Sequence, residues 1–597
     1  MSYETFLSKV HRSARALLIL LVVGGLTGAG SLEGVAAASA TPPDCHGVVI
    51  STLSEQGLNP AVLGALSHTN AGAINEAVRA QCHNGLGPSQ VAANVLVQTT
   101  LTIDQVATVL RDGFGLTAST AGAALQLAGM SATQVAGALG DVFQQTPAQA
   151  AATLLSIGDS FSTIAVALRD AFGQTAAQVA GTLQSIGASL PQIAVVLKEA
   201  LGQTANQTAA ALQSIGATAT EVASAMSTVF NQTAAQTAGT LQAIGVQASD
   251  IAAALVNVFS QTPAQTASIL QALGFPIDTI SLVLQNTFQQ TADHAAGILS
   301  QLGYTAAQVA GTLQSVFHQT VSQAAAILKA VGYDAVQVAS GLISAYGLVA
   351  TDVVNVLKAA GFDAVGVALA VLRVYGMVGK DAAQLLLTAG FDAVQIGLAL
   401  IHAYGQSLLD SAKILGAIGF GALDIARALM MLNPQLAAAD LVNILQAVAF
   451  NAVDIANALV GALKLTARDV LGLFKTAGYD AVAIAQAVAG ALGLAAGDVA
   501  ALLQAAAFDA VDVARAMVAA FALPAAQVAA ILRSVGFPID QIVAVLQSVF
   551  GTGAAETASI LQSIGASTDE IVAQLTSKFN LTLAQIAGIL CGVLKIC

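Results

Sequence analysis

From about residue 88 the chain repeats one cadence of apolar and polar positions. Leu154, Leu183, Leu212, Leu241, Leu270, Leu299 and Leu328 recur one turn before a glycine, with Ala, Val or Thr a further turn back and Ile, Leu or Val just before the glycine. A second stripe opens at Ile164, Ile193, Val222, Ile251 and Ile280 and runs through Leu168, Leu197, Met226, Leu255 and Leu284. It ends on an aromatic column: Phe143, Phe172, Phe230, Phe259, Phe288, Phe317, Tyr346, Tyr375 and Tyr404. Apolar residues three to four apart predict amphipathic helices with these stripes, aromatic column included, facing the core. Helices this short are marginal alone, so neighbours must stack to bury them.

Glycines punctuate the stripes. Gly129, Gly158, Gly187, Gly216, Gly245, Gly274, Gly303, Gly332, Gly361, Gly390 and Gly419 stand 29 residues apart, and after one inserted residue the column resumes at Ala449, Gly478, Ala507, Gly536 and Gly565. With Thr100 as first member this makes about 17 units. Twelve residues before the glycine stand Thr146, Thr175, Thr204, Thr233, Thr262, Thr291 and Thr320, mostly with Gln three residues later. That is a capping box, in which the hydroxyl accepts an orphan amide and the Gln reaches back to the cap. The glycine then stops the helix by adopting the left-handed conformation. A second cap follows two residues on, at Ser160, Ser189, Thr218, Thr305, Asp334, Asp363, Asp392, Asn451, Asp480, Asp509 and Ser567. Each unit therefore reads helix, tight turn, helix.

These helix pairs resemble the α-solenoid class of HEAT, armadillo and tetratricopeptide repeats. The resemblance is architectural, because 29 residues is shorter than any of those units and the tetratricopeptide signature is missing. It implies an all-α, right-handed superhelix with an extended surface for binding another macromolecule.

Composition narrows the function. Charged residues are 9%, hydrophobic residues 56% and Trp is absent, which excludes disorder. A net charge of -13 with 20 Lys+Arg leaves no basic stripe for phosphates, so no nucleic-acid partner is expected. Lys9, Arg12 and Arg15, the apolar run 16–23 and Ala38-Ser39-Ala40 read as a secretory signal peptide over 1–40, with no transmembrane segment after its removal. The expected destination is secretion or the cell surface. Residues 41–87 read as an N-terminal cap with helices around Val48–Gln56 and Ala71–Cys82, residues 88–581 as the repeats, and 582–597 as a closing half-repeat. All four cysteines, Cys45, Cys82, Cys591 and Cys597, lie at the ends, where a stacked array has one neighbour only. They read as two disulfides. His46 and His83 beside the first pair raise the rival of a Cys/His metal site. The second bridge requires the chain to break near Gly592, because a continuous helix holds its cysteines too far apart.

No catalytic motif stands out. His46, His68, His83, His294, His318 and His402 are scattered singly, so no enzyme, cofactor or metal is expected. The row Asp352, Asp381, Asp410, Asp440, Asp469 and Asp498 reads as helix capping and dipole complementation. Three triplets, at Asn206, Asn231 and Asn580, match the glycosylation acceptor. The regular positions are consumed by structure, so specificity is expected where units depart from one another: Glu199, Asn257, Asn286, Arg373 and His402, at one equivalent place in the second helices. The expected function is a non-enzymatic scaffold binding a protein or other extracellular macromolecule. The alternatives are a self-associating structural protein of a surface layer or filament, and a carrier of an apolar ligand in the Ala- and Val-rich groove of residues 332–520.

Overall fold

The structure, a computed structural model, describes residues 44–596; the expected signal peptide over 1–40 and Cys597 lie outside the described residues. Among the described residues there are 38 α-helices and no strand. From Pro88 onward they alternate as first and second helices of tandem repeats, and the chain is an all-α helical-repeat protein. It forms two compact units divided between Gln289 and Gln290.

Local sequence accounts for each helix. The first helix Ala234–Ala243 begins at Thr233, whose hydroxyl accepts from the Gln236 amide while the Gln236 side chain accepts from the Thr233 amide at 2.9 Å. Gly245 ends it at φ +81. The next helix, Ala248–Phe259, leaves through Ser260 in the left-handed region. Ala449 and Ala507, where the glycine column lapses, still take φ of 72 and 61. The turn is therefore set by the stack, even where a Cβ opposes it.

Packing explains the alanine content. The second helix buries Ile251, Ala252, Ala254 and Leu255 completely, so that alanine faces its neighbours on both sides. The adjoining first helix buries Thr237, Ala238, Thr240 and Leu241. Within each unit the most extensive helix packing lies between second helices, for example Ala132–Asp141 against Phe161–Phe172 and Ala306–Ser315 against Ala335–Tyr346. At the latter crossing a Cβ on Gly341 would stand 2.8 Å from the Ala306 carbonyl oxygen, so only glycine fits.

Several expectations change. The aromatic column from Phe143 to Tyr404 is half-buried throughout instead of lying in the core. Its residues follow the stripe by one further turn and overhang the helix end, where packing covers one side of each ring. The N-terminal cap holds three helices, not two: Cys45–Glu55, Pro60–Leu66 and Ala71–His83. The added one starts at Asn59, which caps two amides, with Pro60 at the first helical position. Cys45 and Cys82 form a disulfide between the outer two, which occupies the sulfurs that a Cys/His metal site would need as thiolates. At the other end the α-helix stops short of Gly592. The helix Leu583–Ile589 widens into a π-turn over Leu590–Leu594 that includes Cys591, and the chain turns left-handed only at Lys595. Cys591 is not a free thiol.

Candidate interaction surface

Most polar side chains serve the fold. Three residues before the glycine column, Lys329 donates to the Ala360 and Gly361 carbonyls of the following first helix, Lys358 to Ala389 at 2.6 Å, and Lys475 to Ala506. Gln242 does the same to Leu273 at 3.0 Å. The last carbonyls of a helix lack intrahelical partners and carry negative dipole character, so a cation or amide from the previous repeat satisfies them. Lys329, Lys358 and Lys475 also lie about 5 Å over the rings of Phe362, Phe391 and Phe508. Second helices use the same device: Arg111 donates to the Val142 carbonyl and Lys198 to that of Val229.

Glu199, Asn257, Asn286, Arg373 and His402 are all exposed, in the last turn of second helices or next to it. Glu199, Asn257 and Asn286 belong to the first unit, Arg373 and His402 to the second. The same register holds Asp112, Asp141 and Asp170 upstream of Glu199, a run of acids that reading the row backward would have found. Arg111 and Arg169 pair with Asp112 and Asp170 at 2.7 Å, so part of the run is neutralised locally.

The second unit departs further at the turns beside Arg373 and His402. Tyr346 donates to the Gln319 carbonyl at 2.8 Å and Tyr375 to that of Leu348 at 3.0 Å. The Tyr404 hydroxyl is buried without a partner, and burial pushes it up to about 12. Burial also raises Tyr375, with the nearby Asp352 charge adding to it. After two of these turns the helix caps are valines: Val349 and Val378 are 61% and 63% exposed and supply no side-chain cap. The acid row is therefore only partly a capping row. Asp410 accepts from Ser407, and Asp469 accepts from the Thr466 amide and hydroxyl, which holds its carboxyl below the usual range. Asp352, Asp381, Asp440 and Asp498 follow Val349, Val378, Ala437 and Ala495 and make no hydrogen bond.

The remaining sequence candidates are placed as follows. His294 stands at the capping Gln position, its Nδ1 2.9 Å from the Thr291 hydroxyl, and His318 occupies a left-handed turn. Asn231 and Asn580 are exposed in left-handed turns ahead of the cap residues Thr233 and Thr582, whereas Thr208, the third residue of the Asn206 triplet, is fully buried. Among the described residues no helix is long and apolar enough to cross a membrane.

No family model matches the chain, and no curated protein matches it. Among solved structures it is similar to one described as a circular tandem repeat protein with novel repeat topology and enhanced subunit contact surfaces. The two are 13% identical, with 92% of this chain and 98% of that chain covered and a TM-score of 0.09. At that score the likeness carries no argument, and the helical-repeat architecture rests on the helices themselves.

Proposed function

We propose that the protein is a non-enzymatic scaffold, secreted or displayed at the cell surface, that binds another macromolecule through the exposed ends of its second helices. One observation supports this reading most. The residues that repeat are occupied by caps, interior packing and links between repeats, while the register of Glu199, Asn257, Asn286, Arg373 and His402 is exposed and differs in chemistry from repeat to repeat. An extended stack presenting variable side chains on a constant frame is the way helical repeats recognise partners.

A photo-crosslinking amino acid at position 402, compared with one at exposed position 413 on a first helix, tests it in the extracellular fraction of the source organism. Discrete adducts from 402 and few from 413 are expected. Equal labelling from both positions sinks the reading. Adducts made only of two copies of this chain, with light scattering that grows with concentration, replace it with self-assembly.

A further inference from the structure

We infer that the edge of the second unit formed by Leu348, Val349, Met377 and Val378, with Asp352 and Asp381, docks a polypeptide segment that is apolar and carries basic side chains. The inference rests on the binding reading above and names one surface and one partner chemistry for it.

Valine is a poor choice for these two positions. A helix cap needs an oxygen to accept the first amides, and Thr320, Ser407 and Thr466 supply one at the same register. Val349 and Val378 do not, and both present most of their surface to solvent. Departures from a local rule concentrate at functional or strained positions, and of the uncapped positions these two carry large exposed apolar side chains. Leu348 and Met377 beside them are half-buried, and extend the apolar strip.

The same substitution frees a carboxylate. Where the cap is Thr466, it donates to Asp469 through both its amide and its hydroxyl. Where the cap is valine, Asp352 and Asp381 have no hydroxyl to accept from, and each stands exposed with neither hydrogen bond nor ion pair. Each repeat thus offers an exposed apolar group and an unengaged anion one helical turn further on. Two adjacent repeats offer the pair twice. Apolar surface flanked by unpaired carboxylates is complementary to an apolar segment bearing Lys or Arg, and it disfavours an acidic one by like-charge repulsion. A second copy of this chain, whose net charge is -13, fits less well for the same reason.

The test uses the full chain and two fluorescent peptides of equal length, one alternating leucine and lysine, the other leucine and glutamate. The leucine–lysine peptide should bind the wild type, and about tenfold or more weakly to V349T/V378T, which removes apolar contact at unchanged net charge. Misfolding cannot explain that loss, because restoring threonine caps should raise thermal stability, and a rise in the melting temperature is the accompanying readout. D352N/D381N should weaken the same peptide. Unchanged affinity in V349T/V378T, or preference for the leucine–glutamate peptide, overturns the proposal. So does concentration-dependent self-association that V349T/V378T abolishes, since the occupant is then a second copy. Crosslinks from position 402 that persist undiminished in V349T/V378T refute this surface and leave the broader reading standing.

Discussion

The repeats from Thr146 to Gln289 and those from Gly332 to about Ala520 lay the same helices on the same register and fill one interior layer with different chemistry. In the first region Thr153, Thr182 and Thr240 are almost fully buried, and each donates to a glutamine of the preceding turn, Gln145, Gln174 and Gln232, at 3.1 to 3.2 Å. In the second, the positions of Thr240 and Gln232 hold Val356 and Leu348, then Leu385 and Met377. The dependence runs one way: Gln203 and Gln261 stand opposite Ala211 and Ile269 and donate to the Leu201 and Phe259 carbonyls instead, whereas a buried threonine without its glutamine would be an unmatched polar group. At Gln145, Gln174 and Gln232 the Phe-x-Gln-Thr turn is thus the visible half of a buried pair. The difference also ties the interior to the surface: once the turn glutamine becomes Leu348 or Met377, the turn itself carries an apolar strip.

The largest effect should come from the bulkiest fully buried side chain of the second region. Phe474 occupies a leucine position, is completely buried and stacks on Tyr479 with ring centroids 4.6 Å apart. Phe474→Ala should cost about 3–5 kcal/mol. Repeat arrays open locally, so amide hydrogen exchange is the measurement. Protection should fall first in Ala467–Thr476 and Ala481–Leu492, and an equal loss in both units would dissolve the distinction between them.

Next comes the buried pair. Gln232→Leu should cost about 1–3 kcal/mol by stranding the Thr240 hydroxyl. Adding Thr240→Ile should recover most of it, because the double change writes the second region's solution into the first. A double-mutant cycle decides; simple additivity would mean that the pair is not coupled.

How far the sequence carries the fold depends on the range of each interaction. The boxes of Thr233 with Gln236 and the stop at Gly245 span a few residues, and these were legible. The links from Lys358 to Ala389, or from Lys198 to Val229, run 31 residues onward. Nothing local announces them until the ends of neighbouring helices are known to lie side by side. Phe259 continues the spacing of Leu255 and so looked like core, yet it falls where the stack no longer covers both sides. Pro60–Leu66 is too short to show a period. Of the candidate surface, Arg373 and His402 were visible as departures within one row. Val349 and Val378 were missed because the cap row was read from the threonines of the first region and not followed into the second.

A smaller effect of opposite sign tests the first region alone. Thr208, Thr237 and Thr266 are fully buried with hydroxyls that find no partner. The second region has Val353 at this register. Thr237→Val should therefore stabilise by about 1 kcal/mol, and Val353→Thr should destabilise by about 1–3 kcal/mol. Denaturant midpoints at constant slope would show both. A loss of stability in Thr237→Val would mean that the hydroxyl is satisfied in solution.

The smallest effect concerns the link between repeats. Lys358 donates to the Ala389 carbonyl and covers the Phe391 ring at 4.7 Å, whereas the equivalent Gln242 makes only the carbonyl bond, to Leu273. Lys358→Gln keeps that bond and gives up the charge on the helix end and on the ring, so it should cost about 0.5–1 kcal/mol. The deficit should shrink as salt is added, because screening acts on the lysine and not on the amide. In the first region Gln213→Lys should gain less than Lys358→Gln loses, since Val246 stands where Phe391 stands and offers no ring. Thermal unfolding of the pair at low and high salt measures both terms. Equal and opposite changes would assign the whole effect to the carbonyl, and would remove the aromatic turn from the reasons for lysine at position 358.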